Sequence, residues 1–270
     1  MRIINRFDPS YQTLEKEYDI DVVILNDVSA IADDDNANAV AWLNESPDII
    51  EACWGGEHTG SFHSVMLEKL KSGNHLFKTL YTFDRRYDGL PNVVIVPPAI
   101  PSWVNDSESE VYPKTKKCTM ITSTKQYTPV QEKRVDLAKS LDRMSVPVYG
   151  TGWLPSREIG SKTETLKPYM YCFVVENGIY SGYHTEKILD CFRTGTVPIY
   201  YGDPDINKVF NLDGIIVLEN LEIDLDQLLP ELTKERYESM LPAIRENFQI
   251  AMRHNYLATD VIDMILKDMK

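Results

Sequence analysis

The stretch from Tyr171 to Gly202, YCFVVENGIYSGYHTEKILDCFRTGTVPIYYG, constrains the fold more than any other part of the chain. Cys172-Phe173-Val174-Val175 is an apolar run of the length expected for a buried strand. Glu176 and Asn177 stand where that strand would end, and a loop from Gly178 to Gly182 follows. Tyr183-His184-Thr185-Glu186-Lys187 then opens a helix, in which Ile188, Leu189, Cys191 and Phe192 fall near i, i+1, i+3 and i+4 and make an apolar face. Gly195 stops the helix, and Val197-Pro198-Ile199-Tyr200-Tyr201 reads as the next buried strand. A strand–helix–strand unit of this kind belongs to a parallel sheet, where ligands bind outside the carboxyl ends of the strands.

The rest of the chain extends the same alternation. Asp21 to Leu25, Ala39 to Leu43, Thr79 to Phe83 and Val93 to Val96 read as strands, and Phe62 to Leu70 as a helix. Residues 104 to 116, VNDSESEVYPKTK, lose apolar periodicity and read as a linker. Beyond them the pattern restarts with a strand at Thr119 to Thr122, a helix at Val130 to Leu141 and a strand at Val146 to Tyr149. Ile215 to Leu218 is a further strand, and Thr233 to Lys270 is mostly helical, with Pro242 at a helix start or kink. The expected division is an α/β domain over 1–108, a second over 109–255 and a C-terminal helix over 256–270. Two such halves imply a cleft between two doubly wound sheets, where small ligands bind.

Composition removes several function classes. With 270 residues, 43% apolar and 26% charged, the chain is of soluble globular type and long enough for one large domain or two ordinary ones. A formal charge of −13 argues against a nucleic-acid partner, which calls for a basic face. No apolar run has the length of a membrane span, and the opening MRIINRFDPSYQ lacks the apolar core of a signal peptide. Cys53, Cys118, Cys172 and Cys191 share no CxxC spacing and read as reduced, buried thiols. A cytoplasmic protein is expected.

Several residues could carry chemistry. Thr185 is placed to cap the helix, with Glu186 and Lys187 in its first turn. Such a helix start attracts phosphate, and Lys187 adds a full charge. The same residues equally describe a solvated helix start. Glu176 and Asn177 could grip hydroxyls or form an ordinary polar turn, and Tyr183 could stack on a base or sugar or pack at the helix cap. Arg134, with its neighbour Lys133, could reach the same place as a second phosphate ligand or lie on a solvated helix face. Glu45, in Asn44-Glu45-Ser46-Pro47, follows the strand ending at Leu43 and could accept a proton from an attacking hydroxyl, or be an exposed loop acid. His58 and His63 lack a third ligand at metal-site spacing, and His63 is a reserve candidate for the base. Asp33-Asp34-Asp35 and Asp203-Pro204-Asp205 fit a D-x-D pattern, which arises easily among 41 acidic residues.

The opening stretch resembles the donor-binding signature of the α-1,3/4-fucosyltransferases, glycosyltransferase family 10, in a compact bacterial or viral form. The resemblance is carried by Phe173, Glu176-Asn177, Tyr183, Thr185-Glu186-Lys187, Gly195-Thr196-Val197-Pro198-Ile199-Tyr200 and Gly202. Glu45-Ser46-Pro47 and Tyr81-Thr82-Phe83-Asp84 are similar to N-terminal segments of the same family, so the likeness runs from 38 to 220 and is dense from 171 to 210. It implies the GT-B architecture, two Rossmann-like doubly wound domains facing each other across a cleft. The implied activity is inverting transfer without an essential metal, from GDP-fucose to a hydroxyl of an oligosaccharide or glycan acceptor. Lys187 and Arg134, or Lys133 in its stead, would hold the diphosphate. Asn177 and Tyr183 would hold the nucleoside, Glu186 the sugar, and Glu45 the acceptor's proton. Val175, Gly178 and His184 depart from the family pattern around that pocket. The alternatives are therefore another nucleotide sugar such as UDP-xylose, metal-dependent transfer at a D-x-D site, or a non-catalytic nucleotide- or glycan-binding module.

Overall fold

A computed structural model describes residues 2–5, 21–24, 40–43 and 78–269. Contacts divide the chain into two units. The first comprises Met1–Ile100, Tyr180–Tyr183 and Tyr256–Lys270, and the second Pro101–Ile179 and His184–Asn255.

The first unit holds five parallel strands, β1 (Arg2–Asn5), β2 (Asp21–Ile24), β3 (Val40–Leu43), β4 (Thr79–Thr82) and β5 (Val93–Ile95), in the order β2-β1-β3-β4-β5. Strand β1 has no counterpart in the sequence reading, because four residues give too short a run to reveal a period. The helix expected over Phe62 to Leu70 lies outside the described residues, as do Glu45, His58, His63, Cys53 and Asp33 to Asp35. The C-terminal helix α6 (Ala258–Asp268) completes this unit's core, with Val261, Ile262 and Ile265 packed against Val40, Trp42, Tyr81 and Val96. The Tyr81 hydroxyl donates to Asp268 Oδ2 at 2.8 Å, and burial beside that carboxylate raises its pKa.

The second unit repeats the plan. Strands β6 (Lys116–Ile121), β7 (Val148–Tyr149), β8 (Tyr169–Val175), β9 (Val197–Tyr201) and β10 (Ile216–Val217) form a parallel sheet in the order β10-β9-β8-β6-β7. Counted from its own first strand, that is the same 2-1-3-4-5 order as the first sheet, a doubly wound arrangement whose strand order reverses between β6 and β8. Helices α1 (Pro129–Arg143), α2 (Lys162–Leu166), α3 (Glu186–Arg193), α4 (Leu225–Glu231) and α5 (Lys234–Arg253) accompany it. Helix α5 runs from Lys234 to Arg253 with Pro242 inside it, so that proline does not start the helix. Strand β8 is buried on both faces, which explains its unbroken apolar run.

Local chemistry sets the boundaries of α3. The Thr185 hydroxyl accepts the Lys187 N–H as an N-cap. At the far end Thr196 N–H returns to Cys191 O at 2.8 Å and Gly195 N–H to Phe192 O at 3.0 Å, the Schellman pairing. Gly195 has φ +71°, and a Cβ there would stand 2.7 Å from Val111, so glycine is required on both counts. Residues 104–116, low in apolar periodicity, lie in the second unit and are tied to α3. Glu110 N–H donates to Arg193 O at 2.9 Å, and Arg193 Nη1 donates to Val104 O at 2.5 Å.

Candidate donor-binding site

The reversal between β6 and β8 is where a doubly wound sheet opens a crevice beyond its strands. Helix α1 follows β6, and the Glu176-Asn177 pair follows β8, so both deliver polar side chains to that point.

Glu176 is completely buried, with its N–H extending the sheet to Tyr201 O at 2.9 Å. Its carboxylate turns toward the start of α3. Oε1 accepts the Thr185 N–H at 2.9 Å, and Oε2 accepts the Thr185 hydroxyl at 2.7 Å and the Lys187 ammonium at 3.3 Å. A buried carboxylate needs such donors, and here they brace the first turn of the helix. The Lys187 amine also meets Thr185 Oγ1 at 2.9 Å and Glu186 Oε1 at 3.2 Å. Burial opposes its charge, Glu186 and Glu176 outweigh burial, and the pKa is raised above the ordinary lysine value with Arg134 pulling the other way. Burial likewise opposes the charge on Glu186, yet Lys187 and Lys162 together lower its pKa.

Arg134 is buried, and its Nη1 donates to Asn177 Oδ1 at 2.7 Å. Gln131 Nε2 reaches the same oxygen at 3.4 Å, so α1 fixes the orientation of Asn177. Lys133, one residue earlier, points elsewhere: 61% exposed, it pairs with Glu222 at 3.6 Å. The second unit therefore gathers Arg134, Glu176, Asn177, Thr185, Glu186 and Lys187, and leaves Lys133 at the surface. Tyr183 groups with the first unit, where its ring lies 5.2 Å from Phe83 and edge-on to Tyr180.

Two motif residues gain a structural reason. A Cβ on Gly202 would stand 2.5 Å from both Glu176 Cγ and the Tyr200 hydroxyl, so glycine lets the carboxylate lie flat against the end of β9. His184 Nδ1 lies 3.2 Å from Asp203 Oδ2, and both side chains are buried. Asp205 pairs with Lys208 at 2.9 Å, so both acids of the second D-x-D pattern have neighbours in the fold. Among the described residues no three His, Cys, Asp or Glu side chains converge as metal ligands.

One pair escaped the sequence reading. Lys162, at the start of α2, meets Asp190 of α3 at 2.9 Å, with side chains 9% and 1% exposed. Asp190 interrupts an otherwise apolar run, Ile188-Leu189-Asp190-Cys191-Phe192, and a carboxylate in a buried helix announces a partner cation. The sequence does not say which.

With this geometry in hand, known proteins provide the comparison. Residues 111–241 match the model of the glycosyltransferase family 10 (fucosyltransferase) C-terminal region. An alpha-(1,3)-fucosyltransferase of Helicobacter pylori is 30% identical over 148 residues, which is 54% of this chain and 26% of that protein. A crystal structure of an alpha1,3-fucosyltransferase with GDP-fucose superposes with a TM-score of 0.55 at 17% identity, covering 89% of this chain and 81% of the other. A glycosyltransferase from Rickettsia africae gives 0.50 at 8% identity, over 97% and 88%. The α/β fold of two parallel Rossmann-like sheets is shared with these structures. Among the described residues no helix is long and apolar enough to cross a membrane.

Proposed function

We propose that this chain, whose residues 111–241 match the glycosyltransferase family 10 (fucosyltransferase) C-terminal model, is a member of that family and transfers fucose from GDP-fucose to a hydroxyl of a glycan acceptor. The observation that carries this reading is a pair of cations. Arg134 and Lys187 come from separate helices, and Arg134 works against the charge on Lys187 while Glu186 and Glu176 sustain it. A departing diphosphate would be held by both cations. The start of α3 adds free N–H groups and a partial positive charge to the same place.

In this reading Arg134 and Lys187 hold the diphosphate, Asn177 and Tyr183 the nucleoside, and Glu186 the sugar, while Glu176 and Thr185 hold the helix start in place. Glu45 takes the proton of the acceptor hydroxyl as that oxygen attacks the anomeric carbon. The diphosphate leaves from the opposite face, which inverts the centre, and no metal takes part. The acceptor is an oligosaccharide or glycan, and the setting cytoplasmic.

A thermal-shift panel of GDP, UDP, GDP-fucose and UDP-xylose tests the donor. A ligand at 100 times its Kd stabilises by about 2.7 kcal/mol. GDP and GDP-fucose are expected to raise the melting temperature, and a response to UDP in place of GDP would overturn the fucose assignment. Replacing the base, Glu45→Gln, is expected to slow transfer by about 10²- to 10⁴-fold with GDP-fucose binding intact. A near-wild-type rate removes Glu45 from the mechanism.

A further inference from the structure

Helix α3 carries two acids on one face, Glu186 and Asp190, four residues apart and so one turn from each other. Each has a lysine. Lys187 sits 3.2 Å from Glu186, and Lys162, reaching across from α2, sits 2.9 Å from Asp190. Adding Glu176 on Lys187 gives a partly buried group of alternating sign, Asp190 with Lys162 and Glu186 with Lys187 and Glu176, the two parts linked by the effect of Lys162 on Glu186. The outer end of the group is pinned by the backbone. Asp190 Oδ1 accepts the Ser102 hydroxyl at 2.6 Å, Trp103 N–H at 2.8 Å and Val104 N–H at 3.3 Å, and Lys162 Nζ lies 4.8 Å from the centre of the Trp103 ring.

The arrangement has a consequence for Glu186. The donor site asks Lys187 to turn toward a diphosphate, and Lys187 is the direct ion-pair partner that Glu186 has. A carboxylate that loses a paired cation in a largely buried site is easier to protonate, even with the Thr185 side chain still bonded to it. Lys162 does not have to leave. It is held at 2.9 Å by Asp190, one helical turn from Glu186, and its charge favours the ionised form of Glu186.

We propose that Lys162 is a positioning residue of the donor site, the fixed cation that keeps Glu186 ionised and oriented toward the sugar while Lys187 serves the diphosphate. This rests on the role given to Glu186 above, and it adds a residue outside the family motif. The groups facing Glu186 are Lys187 on its own helix, Lys162 from α2, and Glu176 with Arg134 through Lys187. Those facing Lys162 are Asp190, Glu186, Lys187 and the Trp103 ring. Lys162 itself stays charged: burial opposes the charge, and Asp190 and Glu186 outweigh it. Of these cations, Lys162 alone is tied to a carboxylate that contacts neither Lys187 nor the diphosphate.

The test is a pH titration of the full chain with glutamate side-chain carboxyls labelled by carbon-13, the Glu186 resonance being assigned with Glu186→Gln. The wild-type midpoint is expected below the ordinary carboxylate range. Lys162→Gln, which keeps a donor for Asp190 and removes the charge, moves it to higher pH, and Lys162→Arg returns it. A midpoint unchanged in Lys162→Gln, or a rise that Lys162→Arg fails to reverse, overturns the proposal. Should Lys162→Gln not fold, Asp190→Asn gives the opposite reading. It frees Lys162 for Glu186, lowers the midpoint further, and overturns the proposal if it does not. Binding supplies the second arm: Lys162→Gln weakens GDP-fucose by about tenfold and leaves GDP alone. Equal loss for both ligands assigns Lys162 to general stability and overturns the positioning role. If neither ligand binds the wild type, the donor reading falls while the titration still decides whether Lys162 governs Glu186.

Discussion

Two partly buried lysines stand at the two ends of α3, and their surroundings drive their pKa values apart. Lys187 lies in the first turn, where the helix dipole disfavours a cation, yet Glu176 and Glu186 hold its pKa above the ordinary value. Lys114 lies at the last turn, where the dipole favours a cation. Its amine donates to Thr194 O at 2.6 Å, Thr196 Oγ1 at 3.0 Å and Lys167 O at 3.1 Å, three uncharged partners. Burial pushes Lys114 down to about 7, against smaller opposing effects of the Cys191 and Cys172 thiols. The difference teaches that burial alone does not fix the charge of a lysine here. Carboxylates do, and the fold spends two of them on the lysine at the unfavourable end. Lys187 is held charged at the start of α3, whereas Lys114 closes the carbonyl ends of α2 and α3.

The sharpest way to break the contrast is Lys187→Ala. It removes the charge proposed for the leaving group and takes one cation from Glu176 and Glu186, so transfer is expected to fall by about 10²- to 10³-fold in single-turnover measurements. Lys187→Arg recovers only part of that, because a planar fork does not replace a compact ammonium. A rate near wild type would put the two lysines on one footing, both structural.

A smaller effect is expected at the other end, and it is one of pH. With a folded pKa of about 7 against 10.5 in the unfolded chain, the unfolded state binds more protons between those values. Stability therefore rises with pH from about 7 upward, by at most about 1.4 kcal/mol per pH unit. Urea midpoints taken between about pH 7 and pH 9 should show the rise in the wild type and its loss in Lys114→Met. A slope that survives the substitution assigns it to another group.

Lys133 sets the baseline. Exposed and paired with an exposed Glu222, it is expected to change stability by no more than about 0.5 kcal/mol when replaced by Ala, with GDP affinity unaltered. Arg134→Ala in the same assay is expected to weaken GDP by about tenfold or more. Equal losses would return the phosphate role to the pair as a whole.

Much of the second unit was legible before any coordinates. The apolar run before Glu176, the Thr185 cap and the Gly195 stop reappear as β8, the start of α3 and its Schellman end. These are local devices, written in a few consecutive residues. Strand β1 and helices α2 and α4 went unread because each is too short for a period to show. Lys162 went unread for another reason. A lysine in a first turn is ordinary in sequence, and only the packing of α2 on α3 brings it to Asp190.

The sequence by itself determined the succession β8–α3–β9, the polar pair at its turn and the likeness of residues 111–241 to the glycosyltransferase family 10 C-terminal model. Run lengths, caps and stops act between near neighbours, so one dimension is enough to carry them. Tertiary structure alone decided that Arg134 and not Lys133 meets Asn177, since successive helix residues point about 100° apart and the packing of α1 turns one of them inward. It also decided that Glu176 braces Thr185 and Lys187 and that Gly202 must be glycine to let it do so. Those contacts join the ends of different strands and helices, and the charge each group carries depends on which others the fold brings beside it.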